Sequence, residues 1–331
     1  MTSKVTVQQM DNKERAARFT LAKTQKITPV KFKKIFEYYH SAIDYCENLG
    51  IKLESCVPEL GKCWIYGDDE YPKLLTDIPD PPILLYHLGS QKILPIKLAA
   101  VVGTRGISGY GDRATREIVE ILIDQGYTIV SGLAFGVDSV VHEICAANKV
   151  PSVAVLANNV NKAYPATNHE LYKKIINNGC VISEFNLGIP YNKFLFARRN
   201  RIIAGLAQSV YVTEAPVKSG AIMTANYAFD YDREVFAIPG GIYQGNSLGC
   251  NRLIAQNKAQ IYFKDLVVNR SEDLSEVENQ TLKLIESGIC RLDDLQRKVY
   301  ISGPELITVL TKLELKRIIA KDLFDRYSVL S

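Results

Sequence analysis

Between Leu94 and Phe263 the chain alternates two rhythms. Short, nearly continuous apolar runs, "KLAAVVG", "YTIVSG", "SVAVLA", "CVISE", "SVYVTEA" and "EVFAIP", with "AQIYF" as a candidate seventh, form the first. The second consists of segments whose apolar residues recur every three or four positions, at about 112–124, 137–147, 168–177, 199–207, 219–230 and 248–257. Strands that are apolar on both faces belong to a parallel sheet covered by helices on each side. The alternation predicts an α/β domain, Rossmann-like and doubly wound, with a mostly parallel sheet.

The flanks read differently. Over residues 13–50, Phe32, Ile35, Phe36, Tyr39 and Ile43 form a helical stripe, with Thr28 as a cap and Pro29 in a first turn, so short amphipathic helices are expected. The segment containing "DDEYPKLLTDIPDPPILLYHLG" reads as a connection. Residues 264–275 are charged and aperiodic, as in a linker. Beyond it, "VENQTLKLIES", "RLDDLQRKV" and "GPELITVLTKLELKRII" read as three helices and "AKDLFDRYSVL" as a hairpin, the order of a winged helix. The expected organisation is a helical domain over 1–70, the α/β domain over 71–263, the linker, and a winged-helix-like domain over 276–331. Lys31, Lys33 and Lys34 near one end, and Lys312, Lys316 and Arg317 near the other, suit either a solvated helix face or contacts with DNA phosphates.

Composition narrows the function classes. Of 331 residues, 40 are Lys or Arg and 36 Asp or Glu, so any affinity for phosphates must be local rather than global. Seven cysteines without a CxxC pair, and four histidines, argue for reduced thiols and against a metal site. The polar N-terminus has no apolar leader core, and no apolar run approaches 18 residues. A soluble, cytoplasmic protein without a membrane span or cofactor is expected.

In an open α/β sheet, ligands bind beyond the carboxyl ends of the strands, so the loops after the apolar runs carry the chemistry. The first runs Gly103, Thr104, Arg105, Gly106, Ile107, Ser108, Gly109, Tyr110, Gly111 into a helix expected near Asp112, and is not a GxGxxG fingerprint. Free amides at a helix start and close-approaching glycines can cradle an anion, and the Arg105 fork can grip a phosphate. A tight turn with Arg105 in a surface salt bridge fits the same residues. In the second loop Ser131, Gly132 and Gly136 precede another helix start, where Asp138 can cap the helix or accept from a ligand hydroxyl. His142, one turn on, makes a capping and packing pair with it the better reading, since no nucleophile accompanies them.

The stretch "KFLFARRNRIIAGLA" sets Lys193, Phe196, Arg198, Arg199 and Arg201 within nine residues, with Asn200 among them. Cations interleaved with an aromatic at a loop-to-helix junction suit a single-stranded nucleic acid, whose bases stack while its linkages carry charge. Alternatively Phe196 is core and the arginines pair with Glu184 or Glu214, as one or two of them are expected to do. A further helix start, "KSGAIMTANYA", supplies Lys218, Ser219, Gly220 and Thr224. Three helix starts at one sheet edge argue for an anion site far better than one.

In order and spacing, "GTRGISGYG", "SGLAFGVDSVVH", "AVLANNVNKAYPATN", "ISEFNLG", "FARRNRIIAGL", "TEAPVKSGAIMTA", "REVFAIPG" and "LGCNRLIAQNKAQI" resemble the DNA-processing protein A family, also called DprA or Smf. The resemblance covers about Tyr71 to Phe263, and the lead-in "YPKLLTDIPDPPILLYHLG" fits it too. It implies a protein without catalytic turnover that binds and protects single-stranded DNA, forms a homodimer and loads RecA recombinase on DNA taken up in natural transformation. It also implies flanking domains of sterile-alpha-motif or helix-hairpin-helix type and of winged-helix type. Carried over by motif, Gly103, Thr104, Arg105, Ser108 and Gly109 of the first loop would hold phosphate, with Ser131, Gly132 and Gly136 of the second beside them. Lys193 and Phe196 would form a phosphate contact and base pocket ahead of Arg199, Asn200 and Arg201, while Lys218, Ser219, Gly220 and Thr224 line the same groove. Ile254 and Ile261 would sit at the dimer surface. Ala197 stands where the family usually has proline, and Asn158 and Asn159 replace a glycine-containing turn. The helical hairpin near Lys26 lacks the glycine-rich turn that duplex binding would need.

A second reading is a nucleotide-processing enzyme on a related fold, with Glu184, Glu214 or Asp138 as acid or base. Against it stands the absence of a paired carboxylate motif, a metal cluster, or a nucleophile with its base.

Overall fold

The structure, a computed structural model, describes residues 12–23, 27–39, 41–54, 63–90, 97–185, 192–263, 274–299, 301–315, 318–322 and 326–329. It divides into two compact units, 1–262 and 263–331. Among the described residues of the first, nine strands form one sheet: β1 Cys63–Ile65, β2 Leu84–Gly89, β3 Leu98–Val102, β4 Thr128–Ser131, β5 Ser152–Val155, β6 Cys180–Ser183, β7 Ser209–Val212, β8 Glu234–Ala237 and β9 Gln260–Ile261. Their order is β1-β2-β6-β5-β4-β3-β7-β8-β9. The seven apolar runs are β3 to β9, each pairing parallel with its neighbours in that series. β1 and β2 extend the sheet antiparallel beyond β6. They come from a stretch that the sequence pattern gives only as a connection.

Helices cover both faces: α4 Lys73–Thr76, α5 Gly109–Asp124, α6 Val137–Ala147, α7 His169–Asn178, α8 Lys193–Leu206, α9 Gly220–Asp230 and α10 Leu248–Ala255. Along β3, Leu98, Ala100 and Val102 join the core built with α8 and α9, while Ala99 and Val101 pack against α5 and α6. This division of alternate side chains between two buried layers is the doubly wound arrangement, and it explains why the run shows no polar alternation. The strand order reverses beside β3, with β4 on one flank and β7 on the other. Such a switch point opens a crevice beyond the strand ends, where ligands bind in open α/β sheets.

Before the sheet come α1 Asn12–Lys23, α2 Pro29–Tyr39 and α3 Ala42–Asn48. Thr28 caps α2, its hydroxyl accepting from Lys31 N at 3.2 Å, and Phe32 and Ile35 are buried as the stripe requires. The buried Arg15 of α1 pairs with Asp68 at 3.2 Å, and Asp68 also accepts from the backbone of Ile65 in β1 at 2.7 Å. The expected boundary at residue 70 therefore falls inside one unit, with β1 and its ion pair on the N-terminal side.

The second unit holds α11 Glu276–Glu286, α12 Leu292–Gln296, α13 Gly303–Leu315 and an antiparallel hairpin, β10 Ile319–Lys321 with β11 Tyr327–Val329. Ser275 and Glu278 close a capping box on α11. Three helices followed by a hairpin is the order the sequence gives. Residues 264–273 of the expected linker, and Lys316 and Arg317, lie outside the described residues.

Candidate nucleic-acid interface

The loops after β3 and β7 are stitched together. Thr104 N donates to Glu214 O at 2.7 Å and Thr213 N to Val102 O at 3.2 Å. The buried Glu214 carboxylate accepts from Ser108 N at 2.8 Å and Ser108 Oγ at 2.6 Å, while Ser108 Oγ accepts from Gly111 N and caps α5. The helix thus begins at Gly109 rather than near Asp112. A Cβ on Gly111 would stand 2.3 Å from the Glu214 carboxylate, so any side chain there would displace it from Ser108. Ser108 and Gly109 belong to this scaffold rather than to the crevice wall. Glu214 holds a loop, and not an arginine.

The second loop locks onto the first from below. Val137 N donates to Thr104 O at 3.2 Å, and Gly136 sits at φ 74°, where a Cβ would fall 2.3 Å from Thr104 O. Ser131 is fully buried and donates to Val101 O at 2.8 Å. Gly132 packs on the Arg199 guanidinium. None of Ser131, Gly132 and Gly136 lines the crevice; they fix what does. Asp138 lines it from α6. Its pKa is raised by burial, an effect opposed by the Arg199 cation and by hydrogen bonds from Ala134, Ser131 and Gly132. His142 does not pair with it: Nδ1 meets Ser152 Oγ at 3.0 Å, and burial with the Arg199 charge lowers its pKa to about 3.

α8 starts at Lys193, capped by Asn192 through Phe194 N at 3.0 Å, so the expected loop-to-helix junction is already helix. Arg199 and Arg201 consequently diverge. Arg199 is buried, with Nη1 donating to Gly132 O at 2.6 Å and Val155 O at 2.7 Å and Nε to Asn200 Oδ1 at 3.1 Å. Asn200 Nδ2 donates to Gly220 O at 3.0 Å, tying α8 to the start of α9. Arg201, unlike Arg199, does not line the cavity: it pairs with buried Glu184 and with Asp80. Arg198 joins Glu184 from the exposed side. The side chain of Lys193 lies outside the described residues.

Phe196 is the centre of the assembly. The exposed Arg105 guanidinium lies 5.1 Å from its ring centroid and that of Arg199 6.0 Å, both in cation–π range. Tyr164, from the loop after β5, tilts against it at 5.6 Å. The sequence pattern does not single out Tyr164, although its place before Pro165 in a loop at the sheet edge is visible there. Opposite, Ser219 caps α9 through Ala221 N at 3.2 Å, and the Thr224 hydroxyl donates back to Gly220 O.

Gly103, Thr104, Arg105, Phe196, Arg199, Asn200, Lys218, Ser219, Gly220 and Thr224 converge on one cavity of about 330 Å³. Burial and the nearby Arg105 charge lower the Arg199 pKa, and Asp138 opposes them. Arg105 and Lys218, both exposed, stand at its rim. Two guanidinium groups on an aromatic face, beside a helix start, can hold a phosphate and stack a flat ring at once.

Residues 62–271 match the family described as DNA recombination-mediator protein A. The chain belongs to this family. Among its relatives, Protein Smf of Synechocystis is 40% identical over 204 residues, 60% of this chain and 50% of that protein. DNA processing protein DprA of Streptococcus pneumoniae is 40% identical over 189 residues, 57% of this chain and 67% of that one. The matched segment thus spans from half to two thirds of these relatives. The X-ray structure of the pneumococcal DprA aligns with a TM-score of 0.64 and 31% identity, over 78% of this chain and 95% of its own. A Helicobacter pylori DprA structure, described for its single-stranded DNA binding mode, aligns at 0.54 and 30%, over 58% and 87%.

DprA proteins are DNA-binding recombination mediators and not catalysts. Of the carboxylates considered for an enzyme, Glu184 is held by two arginines and Glu214 by Ser108, while Asp138 lines the cavity beside Arg199. Where the DprA pattern has a glycine turn, Asn158 Nδ2 donates to Lys162 O at 2.6 Å and Asn159 Oδ1 accepts from Asn161 N at 2.6 Å, so two side chains close the turn. Ala197 lies within α8, where its N–H serves a helix that a proline would interrupt. No described helix is long and apolar enough to cross a membrane.

Proposed function

We propose that the protein binds single-stranded DNA in the crevice beyond β3 and β7, and that it acts as a mediator loading RecA recombinase on such DNA during natural transformation. The observation that carries the reading is Phe196 flanked by Arg105 and Arg199 in a cavity bordered by helix starts. A phosphate takes Arg105 and Lys218, whose cations stand at the rim, and a base stacks on Phe196. Lys193, the first residue of α8, is the further phosphate contact that the family resemblance suggests. Ile254 on α10 and Ile261 on β9, half-buried near the free edge of the sheet, suit the face on which two copies would form a homodimer. The second unit suits a winged-helix-like accessory domain.

Binding to a labelled single-stranded oligonucleotide and to its duplex, titrated with salt, tests the reading. The single strand is expected to bind tighter. Arg105→Ala lowers the slope of log K against log salt by about 0.7, the share of one phosphate, and Phe196→Ala weakens binding about ten-fold at unchanged slope, as loss of a stacking partner does. Equal binding of both DNAs that ignores the two substitutions sinks it.

A further inference from the structure

The loop joining β8 to α10 leaves the sheet at the same edge as the first anion loop, because β8, β7 and β3 are parallel. Two hydrogen bonds tie the loops together: Asn246 Nδ2 donates to Gly106 O at 2.9 Å, and Tyr110 Oη donates to Pro239 O at 2.7 Å. The first bond lands on the residue next to Arg105. Internally, Asn251 Nδ2 donates to Gly240 O at 2.9 Å and its Oδ1 accepts from Gly240 N at 3.1 Å, while Gln244 N donates to Gly241 O at 3.0 Å. The loop is therefore held at both ends and across its middle.

On this fixed loop, Ile242 is 69% and Tyr243 95% exposed. Lone exposed apolar side chains need no explanation. Two adjacent ones on a tied loop beside a cation-lined cavity are different: the tyrosine ring contributes almost nothing to the core, yet its backbone is ordered in advance of any contact. We infer that Tyr243 is a stacking platform for a base of the strand whose phosphate sits at Arg105, so that the binding surface runs from the enclosed cavity onto the β8–α10 loop. The inference rests on the single-strand reading above and extends it. A single-stranded nucleic acid is the occupant because the platform's loop is hydrogen-bonded to Gly106, the residue next to the exposed Arg105, and charge interleaved with aromatic faces is what such strands require. A pre-ordered loop also avoids the entropy of fixing a side chain's backbone on binding.

The test compares full-length wild type, Tyr243→Ala, Tyr243→Phe and Arg105→Ala in binding to oligothymidylate of about twelve nucleotides, a length in the range that other single-strand-binding folds occupy. Tyr243 is so exposed that melting temperatures should coincide, which separates folding from binding. Tyr243→Ala is expected to weaken binding about ten-fold with an unchanged salt slope, and Tyr243→Phe to bind as wild type. An oligonucleotide carrying 5-iodouracil should, on irradiation, give an adduct at Tyr243. If Tyr243→Ala binds normally while Arg105→Ala does not, the platform is refuted and the cavity stands. If Arg105→Ala binds normally while Tyr243→Ala does not, the cavity reading falls, and with it the placement of Tyr243 beside a phosphate held at Arg105. Normal DNA binding by Tyr243→Ala together with a changed sedimentation coefficient refutes the platform and gives the surface to a second copy of the chain.

Discussion

Arg199 and Arg201 stand two positions apart on α8, and the helix sends them to opposite tasks. Arg199 lies under the Phe196 ring with its charge toward the cavity. Arg201 is buried with Glu184, whose other oxygen holds Arg198. A buried pair is costly to break because the surviving charge is left without a partner. Arg201→Met is therefore expected to lower stability by about 3–5 kcal/mol while leaving the affinity of the folded protein for single-stranded DNA unchanged. Urea unfolding and fluorescence anisotropy read the two quantities. A variant of normal stability that binds DNA weakly would return Arg201 to the binding surface. From sequence, the two arginines looked equivalent, since "ARRNR" gives spacing but not the phase of a helix whose start is unknown.

At the scale of elements, three strand-end loops act as one rigid piece. Gly136, at φ 74°, has Thr104 O where a Cβ would go. Gly126, at φ 78° after α5, has nothing within 4 Å. An alanine is strained at either position, at roughly 1–3 kcal/mol, so both substitutions should lower the melting temperature. Only Gly136→Ala should also weaken DNA binding, because the new methyl group displaces the carbonyls of Thr104 and Arg105. Equal affinity for the two variants would mean that the first loop adapts. The contrast also shows what the sequence exposed. β3 to β9 were legible because strands buried on both faces carry uninterrupted apolar runs. β1 and β2 were not: β1 has only three residues, and β2, though the longest described strand at six, joins antiparallel at the sheet's end just after prolines that read as a connection. α5 and α8 start earlier than the periodicity indicates because Ser108 and Asn192 cap them through side chains, about one turn and nearly two turns before the apolar repeat begins. The cavity residues were recognisable by type and order. Which of them face inward depended on that phase.

For the whole molecule, two buried histidines couple stability to pH. His87 on β2 stacks on Trp64 at 4.0 Å, and burial lowers its pKa to about 4. His142 is lowered to about 3, its ring facing Ser152 and its Nε2 unpartnered, with Arg199 as the nearby charge. In the unfolded chain both titrate near 6.5. Below that pH the unfolded state takes up protons that the folded state refuses, so stability falls as pH drops from about 6.5 toward the folded values. Above 6.5 both states are neutral at these rings and the effect vanishes. Each histidine contributes at most about 1.4 kcal/mol per pH unit to the slope. Asp138, whose pKa burial raises, works in the opposite sense, since its folded form accepts a proton more readily than the unfolded chain does. His87→Phe keeps an aromatic partner for Trp64 and removes one titrating ring, so the slope of unfolding free energy between about pH 6 and 4.5 should fall by about 1.4 kcal/mol per unit. An unchanged slope would mean that His87 gains access to water before the chain unfolds. In His142 the same proton would place a second cation beside Arg199, under the cavity floor. Loss of DNA binding at low pH should therefore accompany unfolding in wild type rather than precede it, which urea titrations with and without oligonucleotide at pH 5 can check.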